Sequence, residues 1–77
     1  MPDVTVRQEE IGYYVITMEI KTALDFSYYD VGLYHLHDDG ICGYPINNNV
    51  YAIHAKKQAT ACFNRYKRKA KSWIGEE

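Results

Sequence analysis

Residues 55–74 read AKKQATACFNRYKRKAKSWI, and this stretch decides the fold. Its apolar and small side chains recur every three or four residues, the spacing that places them on one face of a helix. The segment also holds seven of the nine basic residues of the chain and no acidic residue. The sequence therefore predicts an amphipathic helix over 55–74 with a basic outer surface and Gly75 as its C-terminal cap. The predicted inner face consists of Ala55, Ala59, Cys62, Phe63, Tyr66, Ala70 and Trp73.

The composition is that of one small globular domain. The chain has 77 residues, of which 47% are hydrophobic and 25% charged, and these fractions argue against wholesale disorder. Tyr supplies 8 of the aromatic residues, against 2 Phe and 1 Trp, and Tyr suits both small cores and binding surfaces. Cys42 and Cys62 are too few for a disulfide framework, so reduced and buried thiols are expected. A single domain over 1–77 is predicted.

Alternating residues predict strands before the helix. The most regular segment is 13–21, where Tyr14, Ile16, Met18 and Ile20 share one face, so that face is expected to be buried and the other wet. Asp38-Asp39-Gly40 predicts a tight hairpin turn, and Pro45 is typical of an edge strand. The predicted strands are residues 4–7, 13–21, 28–37 and 41–46.

Three connections are predicted between these elements. Residues 22–27 are expected to form a connection longer than a tight hairpin turn. Asn47-Asn48-Asn49 is expected to be a loop that can supply the helix N-cap. Residues 50–53 fit either a short strand or the first helical turn, and a short extended piece is favoured.

The predicted fold class is α+β, with a small antiparallel sheet of three to four strands and one C-terminal amphipathic helix packed across one face. Phe63, Tyr66 and Trp73 are expected to fill the space between the helix and the sheet. Their expected partners are Ile16, Met18, Ile20 and either Leu33 or Leu36.

Charge is segregated along the chain. Residues 1–51 carry eight acidic residues against Arg7 and Lys21, a balance of −6, whereas residues 52–77 carry seven basic residues against Glu76 and Glu77, a balance of +5. Such asymmetry indicates charged partners. The alternative is that the acidic part and the basic helix attract each other within one domain.

The basic helix predicts contact with nucleic acid or another polyanion. A row of cations can neutralise phosphates, and counterion release makes such binding depend on salt. Base stacking is not expected, because the periodicity turns Tyr66 and Trp73 inward. The alternative is a solvated helix surface that keeps a small protein soluble. The predicted contact residues are Lys56, Lys57, Asn64, Arg65, Lys67, Arg68 and Lys71.

The acidic, Tyr-rich part predicts a rival binding face. Exposed Tyr beside carboxylates is typical of protein-binding surfaces, and a carboxylate array can also mimic phosphates in a basic groove of another protein. The alternative is an ordinary hydrated sheet face. The residues of this predicted face are Tyr13, Glu19, Asp25, Asp30, Tyr34, Asp38 and Asp39.

Metal and catalytic chemistry have weak support. His35 and His37 would point the same way from a strand, with Cys42 nearby, but no further ligand stands at a recognised spacing. An edge strand running into a turn is the better interpretation, so no metal and no cofactor are expected. Without a nucleophile motif a catalytic role is not expected either, and the protein is predicted to be non-enzymatic.

The residues name no family. The size, the lack of an enzyme motif and the sheet-then-helix order are similar in style to small phage-encoded accessory proteins, including host-defence inhibitors. This resemblance covers no specific motif and transfers no site residue. It favours a binding protein over an enzyme.

The expected partners are a host protein, a protein–nucleic acid complex or nucleic acid, with homodimerisation through an exposed strand edge. The alternative is a protein-only inhibitor of the anti-restriction or anti-CRISPR type that acts through the acidic sheet. No signal peptide or long apolar run is found, so no membrane contact and a cytoplasmic location are expected, in the host cytoplasm if the protein is viral.

Overall fold

A computed structural model describes residues 4–75. Its elements are β1 (Val4–Ile11), β2 (Tyr14–Ala23), β3 (Phe26–His37), β4 (Gly40–Ala52) and α1 (Lys56–Gly75). The strands form one antiparallel sheet in the order β1-β2-β3-β4, and α1 packs across one of its faces. The predicted α+β fold class is confirmed.

The core lies between α1 and the two central strands. The register pairs Ile16 with Leu33 and Met18 with Val31, which puts these four side chains on the face beneath the helix. Phe63 is 0% exposed and is the largest fully buried side chain. The helix contributes its predicted apolar stripe to the core, and the sheet contributes Leu33 rather than Leu36. From the helix the buried residues are Ala59, Cys62, Phe63, Tyr66 and Ala70.

The face of β2 that points away from α1 was predicted to be solvent-exposed, and this prediction is wrong for part of the strand. Val15 is 0% and Thr17 is 7% exposed, although α1 covers the other side of the sheet. Tyr34 pairs with Val15, and its ring lies against Gly32, the partner of Thr17; a Cβ added at Gly32 would lie 2.5 Å from Tyr34 Cε1. An aromatic ring that lies across a strand glycine covers backbone that would otherwise be exposed. The Tyr34 ring over Gly32 thus covers part of the sheet face that α1 does not cover.

β1 continues past its predicted end at residue 7 because its later charged residues interact with the helix. Arg7 Cζ lies 4.7 Å from the centroid of the Phe63 ring, the arrangement of a cation–π contact. Glu9 forms an ion pair with Lys67 of α1. Charged residues thus occupy the helix-facing side of an edge strand, where they have partners.

The predicted long connection at 22–27 is wrong. Ala23 pairs with Phe26, so β2 and β3 are joined by the two-residue turn Leu24-Asp25. Leu24 has a φ of 54° and its side chain is 99% exposed. Tight hairpins favour Gly or Asn at such positions, and the pairing of two long strands overrides that preference here.

The predicted loop and N-cap at Asn47-Asn48-Asn49 are also wrong. These residues pair with β3 inside β4, which continues through Ala52. Asn49 Nδ2 donates to the Tyr66 hydroxyl at 2.9 Å. Polar side chains that usually favour turns can stay in a strand when the core offers hydrogen-bond partners. Ala55, which has no side-chain acceptor, precedes α1 instead.

Removing the Phe63 ring is expected to cost about 3–5 kcal/mol of unfolding free energy, the usual cost of truncating a large buried aromatic residue. The measurement is chemical denaturation of Phe63→Ala. Phe26→Ala is the matched control because Phe26 is 56% exposed at the end of the sheet. Equal losses in the two variants would contradict the core described here.

Leu24→Asn is expected to raise the unfolding free energy by about 1 kcal/mol. Asn tolerates the left-handed conformation that Leu24 adopts, and little burial is lost because Leu24 is exposed. Leu24→Val is the control and should be destabilising, since a β-branched residue is strained at positive φ. Thermal unfolding measures both, and the opposite order would contradict the turn geometry.

Candidate nucleic-acid interface

The outer face of α1 presents a row of cations. Lys57, Arg68 and Lys71 are exposed, while Asn64 on the same face is half-buried. At a rise of about 1.5 Å per residue the row from Lys57 to Lys71 spans about 21 Å. Four predicted contact residues therefore lie along one line.

The cations on the flanks of α1 are engaged by neighbouring groups. Lys67 Nζ lies 2.7 Å from Glu9 Oε2, and Lys69 Nζ lies 5.4 Å from the centroid of the Trp73 ring. The Tyr51 hydroxyl beside Arg65 raises the pKa of the guanidinium. Lys67 and Lys69 thus bind groups of the fold, while Arg65 is exposed beside Tyr51.

The four remaining helix cations form no ion pair, cation–π contact or side-chain hydrogen bond within residues 4–75. We call this set, all of whose members are exposed, the free cations: Lys56, Lys57, Arg68 and Lys71. Of the seven predicted contact residues, the structure leaves these four available. It pairs Lys67 with Glu9 of the sheet, and it leaves Arg65 exposed beside Tyr51.

Glu9 is the carboxylate that holds the helix from β1. Its Oε1 accepts from Arg7 Nη2 at 3.2 Å, and its Oε2 pairs with Lys67. The hydrogen bond from Lys67 lowers the pKa of Glu9, with a smaller contribution from Arg7. The acidic sheet and the basic helix therefore attract each other within the domain, and among residues 4–75 their ion pair lies at this flank.

The first turn of α1 is unusually positive. It contains Lys56 and Lys57 and no acidic residue, although the helix dipole disfavours cations there by about 0.3–1 kcal/mol each. Ala55 cannot cap the helix with its side chain, and within residues 4–75 no side chain accepts from the amides of 56–58. An anion at this end would relieve both costs.

The aromatic residues of α1 are directed into the fold. Tyr66 is buried and accepts a hydrogen bond from Asn49, and burial raises its pKa to about 12. Trp73 packs against Tyr14, with ring centroids 5.2 Å apart. Cys62 is a buried free thiol in the same layer. Base stacking on these rings is therefore unavailable in this fold.

The sheet face away from α1, here called the open face, gathers three residues of the rival prediction: Glu19, Asp30 and Tyr34. Lys21 Nζ pairs with Asp30 Oδ2 at 2.9 Å, and this hydrogen bond raises the pKa of Lys21. Asn48 also donates to Asp30. Burial raises the pKa of Tyr34, with a smaller contribution from Asp30. The open face is thus less acidic than the sequence suggested.

The other four residues of the rival prediction lie elsewhere. Tyr13 occupies the β1–β2 turn, next to the β3–β4 turn that holds Asp38 and Asp39; the Leu36 amide donates to the Tyr13 carbonyl at 2.7 Å. Asp25 lies in the turn at the opposite end of the sheet. The seven residues therefore form no single continuous face.

His35 and His37 lie on the same side of β3, with ring centroids 6.0 Å apart. Across residues 4–75 no three His, Cys, Asp or Glu side chains come together in a group suited to a metal ion. The same part of the chain has no helix that is both long and apolar enough to cross a membrane.

The sequence reasoning missed Arg7 and Glu9 as residues that position the helix. The sequence did contain a signal for them, because every second residue of β1 from Arg7 onward lies on the same face of the sheet. The pairing with β2 shows this: Arg7, Glu9 and Ile11 lie opposite Met18, Ile16 and Tyr14. It also missed Asn49, for which the sequence offered no signal.

Comparison of the chain with known protein families, curated proteins and solved structures found no match.

Glu9→Gln is expected to lower the melting temperature at neutral pH and to have less effect in acid. Because folding lowers the pKa of Glu9 below its ordinary 4.5, its ionised form stabilises the fold above that pH. This stabilisation is lost as the pH falls through the lowered pKa. The measurement is thermal unfolding of both proteins from pH 7 to pH 3.

Glu10→Gln is the control, because Glu10 is exposed and adjacent residues of a strand point to opposite faces. A Glu9→Gln effect that is constant with pH, or that Glu10→Gln reproduces, would contradict the role of the Glu9–Lys67 pair.

Proposed function

We propose that the protein is a small non-enzymatic binding protein whose outer helix face docks on nucleic acid, free or within a protein–nucleic acid complex. The observation that carries the proposal is the division among the helix cations. Lys67 is paired with Glu9 and Lys69 lies over the Trp73 ring, whereas the free cations have neither kind of contact within residues 4–75. If the helix needed basic residues only for contacts within the fold, the four free cations would not be required.

The geometry suits a phosphate backbone. Double-stranded DNA carries one negative charge per 1.7 Å of its axis, so a row of about 21 Å meets several phosphates. Lys and Arg contacts to phosphates position a protein without reading bases. With Tyr66 and Trp73 directed into the fold, binding is expected to depend on salt and only weakly on sequence.

The start of α1 adds to this attraction. The amides of 56–58 and the positive end of the helix dipole lie beside Lys56 and Lys57. One phosphate at this end would be attracted by the positive charges of the two lysines and would also accept hydrogen bonds from the backbone amides. An accessory or inhibitor protein of phage type could use such a surface to occupy the nucleic acid that another complex needs.

A second candidate is a protein-only inhibitor that acts through the open face. Val50 is 57% exposed near Asp30, its cross-strand partner, and Tyr34 lies on the same face, so apolar and polar groups stand side by side. It ranks second because Lys21 and Asn48 already engage Asp30.

Fluorescence anisotropy with labelled DNA and RNA across a salt series tests the first proposal. Contacts from the four free cations should give a slope of about −3 to −4 in log K against log salt, or about 100-fold weaker binding between 50 and 200 mM salt. Replacing Lys57, Arg68 and Lys71 together by Gln should abolish binding. Absence of binding at low salt would reject the proposal.

Adjacent helix residues provide a matched pair of variants. Arg68→Gln removes a free cation and should reduce the salt slope by about 1. Lys67→Gln removes the cation paired with Glu9, so it should lower the melting temperature and leave the slope unchanged. Equal slopes in the two variants would contradict the assigned roles. If Glu19→Lys abolishes biological activity and the triple Gln variant does not, the protein-only candidate is favoured.

A further inference from the structure

The two edge strands of the sheet differ in the features that protect an edge from pairing with another chain. β1 and β4 are the outer strands of the four-stranded sheet, so each leaves backbone N–H and C=O groups without a neighbour in it. β1 has 8 residues, carries Arg7, Glu9 and Glu10, and has a register shift between Thr5 and Arg7. Charges and irregular register are common protections against pairing with another chain.

β4 lacks the protection of charge. It has 13 residues, from Gly40 to Ala52, and none of them is charged. Pro45 and the nearby register shifts interrupt its first half. Its second half, Asn47–Ala52, pairs residue by residue with β3 from Leu33 to Tyr28. A regular and uncharged strand edge six residues long is therefore left open.

The side chains of this half leave its outer edge clear. Asn48 Nδ2 donates to Asp30 and, at 3.1 Å, to the Val31 carbonyl, while Asn49 Nδ2 donates to Tyr66. Both amides are thus turned back onto the fold. Val50 remains 57% exposed on the open face.

We propose that β4 pairs with β4 of a second copy, antiparallel about a two-fold axis, over Asn47–Ala52. A two-fold axis brings a surface against itself, so a strand that pairs this way must not carry one sign of charge. Of the two outer strands, β1 carries Arg7, Glu9 and Glu10, whereas β4 carries no charge. The β4 edge can therefore meet its own copy without repulsion between charges of the strand, and a second copy of this chain is the occupant that we assign to it.

The pairing extends the sheet to eight strands. The two-fold axis is perpendicular to the sheet, so both copies of α1 lie on the same side and both open faces on the other. The free cations of the two copies consequently share one side of the dimer. The dimer interface uses none of them, and its existence does not depend on nucleic-acid binding.

Light scattering coupled to size exclusion, across a concentration series without nucleic acid, tests the proposal. The wild-type protein should show twice the mass of one chain at the upper concentrations. Val50→Lys places two like charges at the seam and should yield the mass of a single chain with an unchanged circular dichroism spectrum. Val6→Lys makes the same change on the β1 edge, where Val6 is 39% exposed, and should leave the dimer intact.

Hydrogen exchange of the wild-type protein gives a second measurement that needs no variant. Amides of Asn47–Ala52 should become more protected as concentration rises, while those of β1 should not change. A single-chain mass at every concentration, with unchanged protection in β4, would overturn the proposal and leave the edge to a different partner. Loss of the dimer in Val6→Lys but not in Val50→Lys would overturn it as well. Failure of DNA and RNA binding would leave this result untouched.

Discussion

The packing of Phe63 between α1 and the sheet is the contact on which the rest of the structure depends. The ring is fully buried in the cluster that holds Ile16 and Leu33, and Arg7 covers it from β1. In a chain of 77 residues this single layer supplies most of the apolar burial that offsets the entropy of folding. Because one face of α1 is committed to this layer, the opposite face must meet solvent or a partner.

The burial of this helix face determines which basic residues of α1 contact the rest of the fold. On the flanks of the helix, Lys67 reaches Glu9 of the sheet and Lys69 lies over the Trp73 ring of the helix itself, so their charge serves the fold. Cations on the outer face are too far from the sheet for such contacts. The basic surface is therefore a consequence of helix geometry combined with a composition that has no acid between residues 55 and 74. The proposed electrostatic binding rests on this arrangement.

The helix and its buried stripe could be predicted because they depend on local periodicity, and the hairpin at Asp38-Asp39-Gly40 could be predicted from turn chemistry. Predictions from local sequence were wrong where contacts with residues distant in the chain stabilise a locally unfavourable conformation. Asn49 stays in a strand because Tyr66 accepts its hydrogen bond. Leu24 adopts a left-handed turn because two long strands pair on either side of it. Thr17 is 7% exposed on a face expected to be solvent-exposed, and the Tyr34 ring lies over its cross-strand partner Gly32.

The sequence by itself determined the α+β class, the inner stripe of the helix and the segregation of charge, since each follows from the order of residues along the chain. Only the tertiary structure decided which cations are free, which acids are already paired and which strand edge is left open. Those properties depend on strand register and on the distance between side chains remote in sequence. Lys67 and Arg68 are neighbours in the chain, yet one contacts Glu9 at 2.7 Å and the other extends from the exposed face.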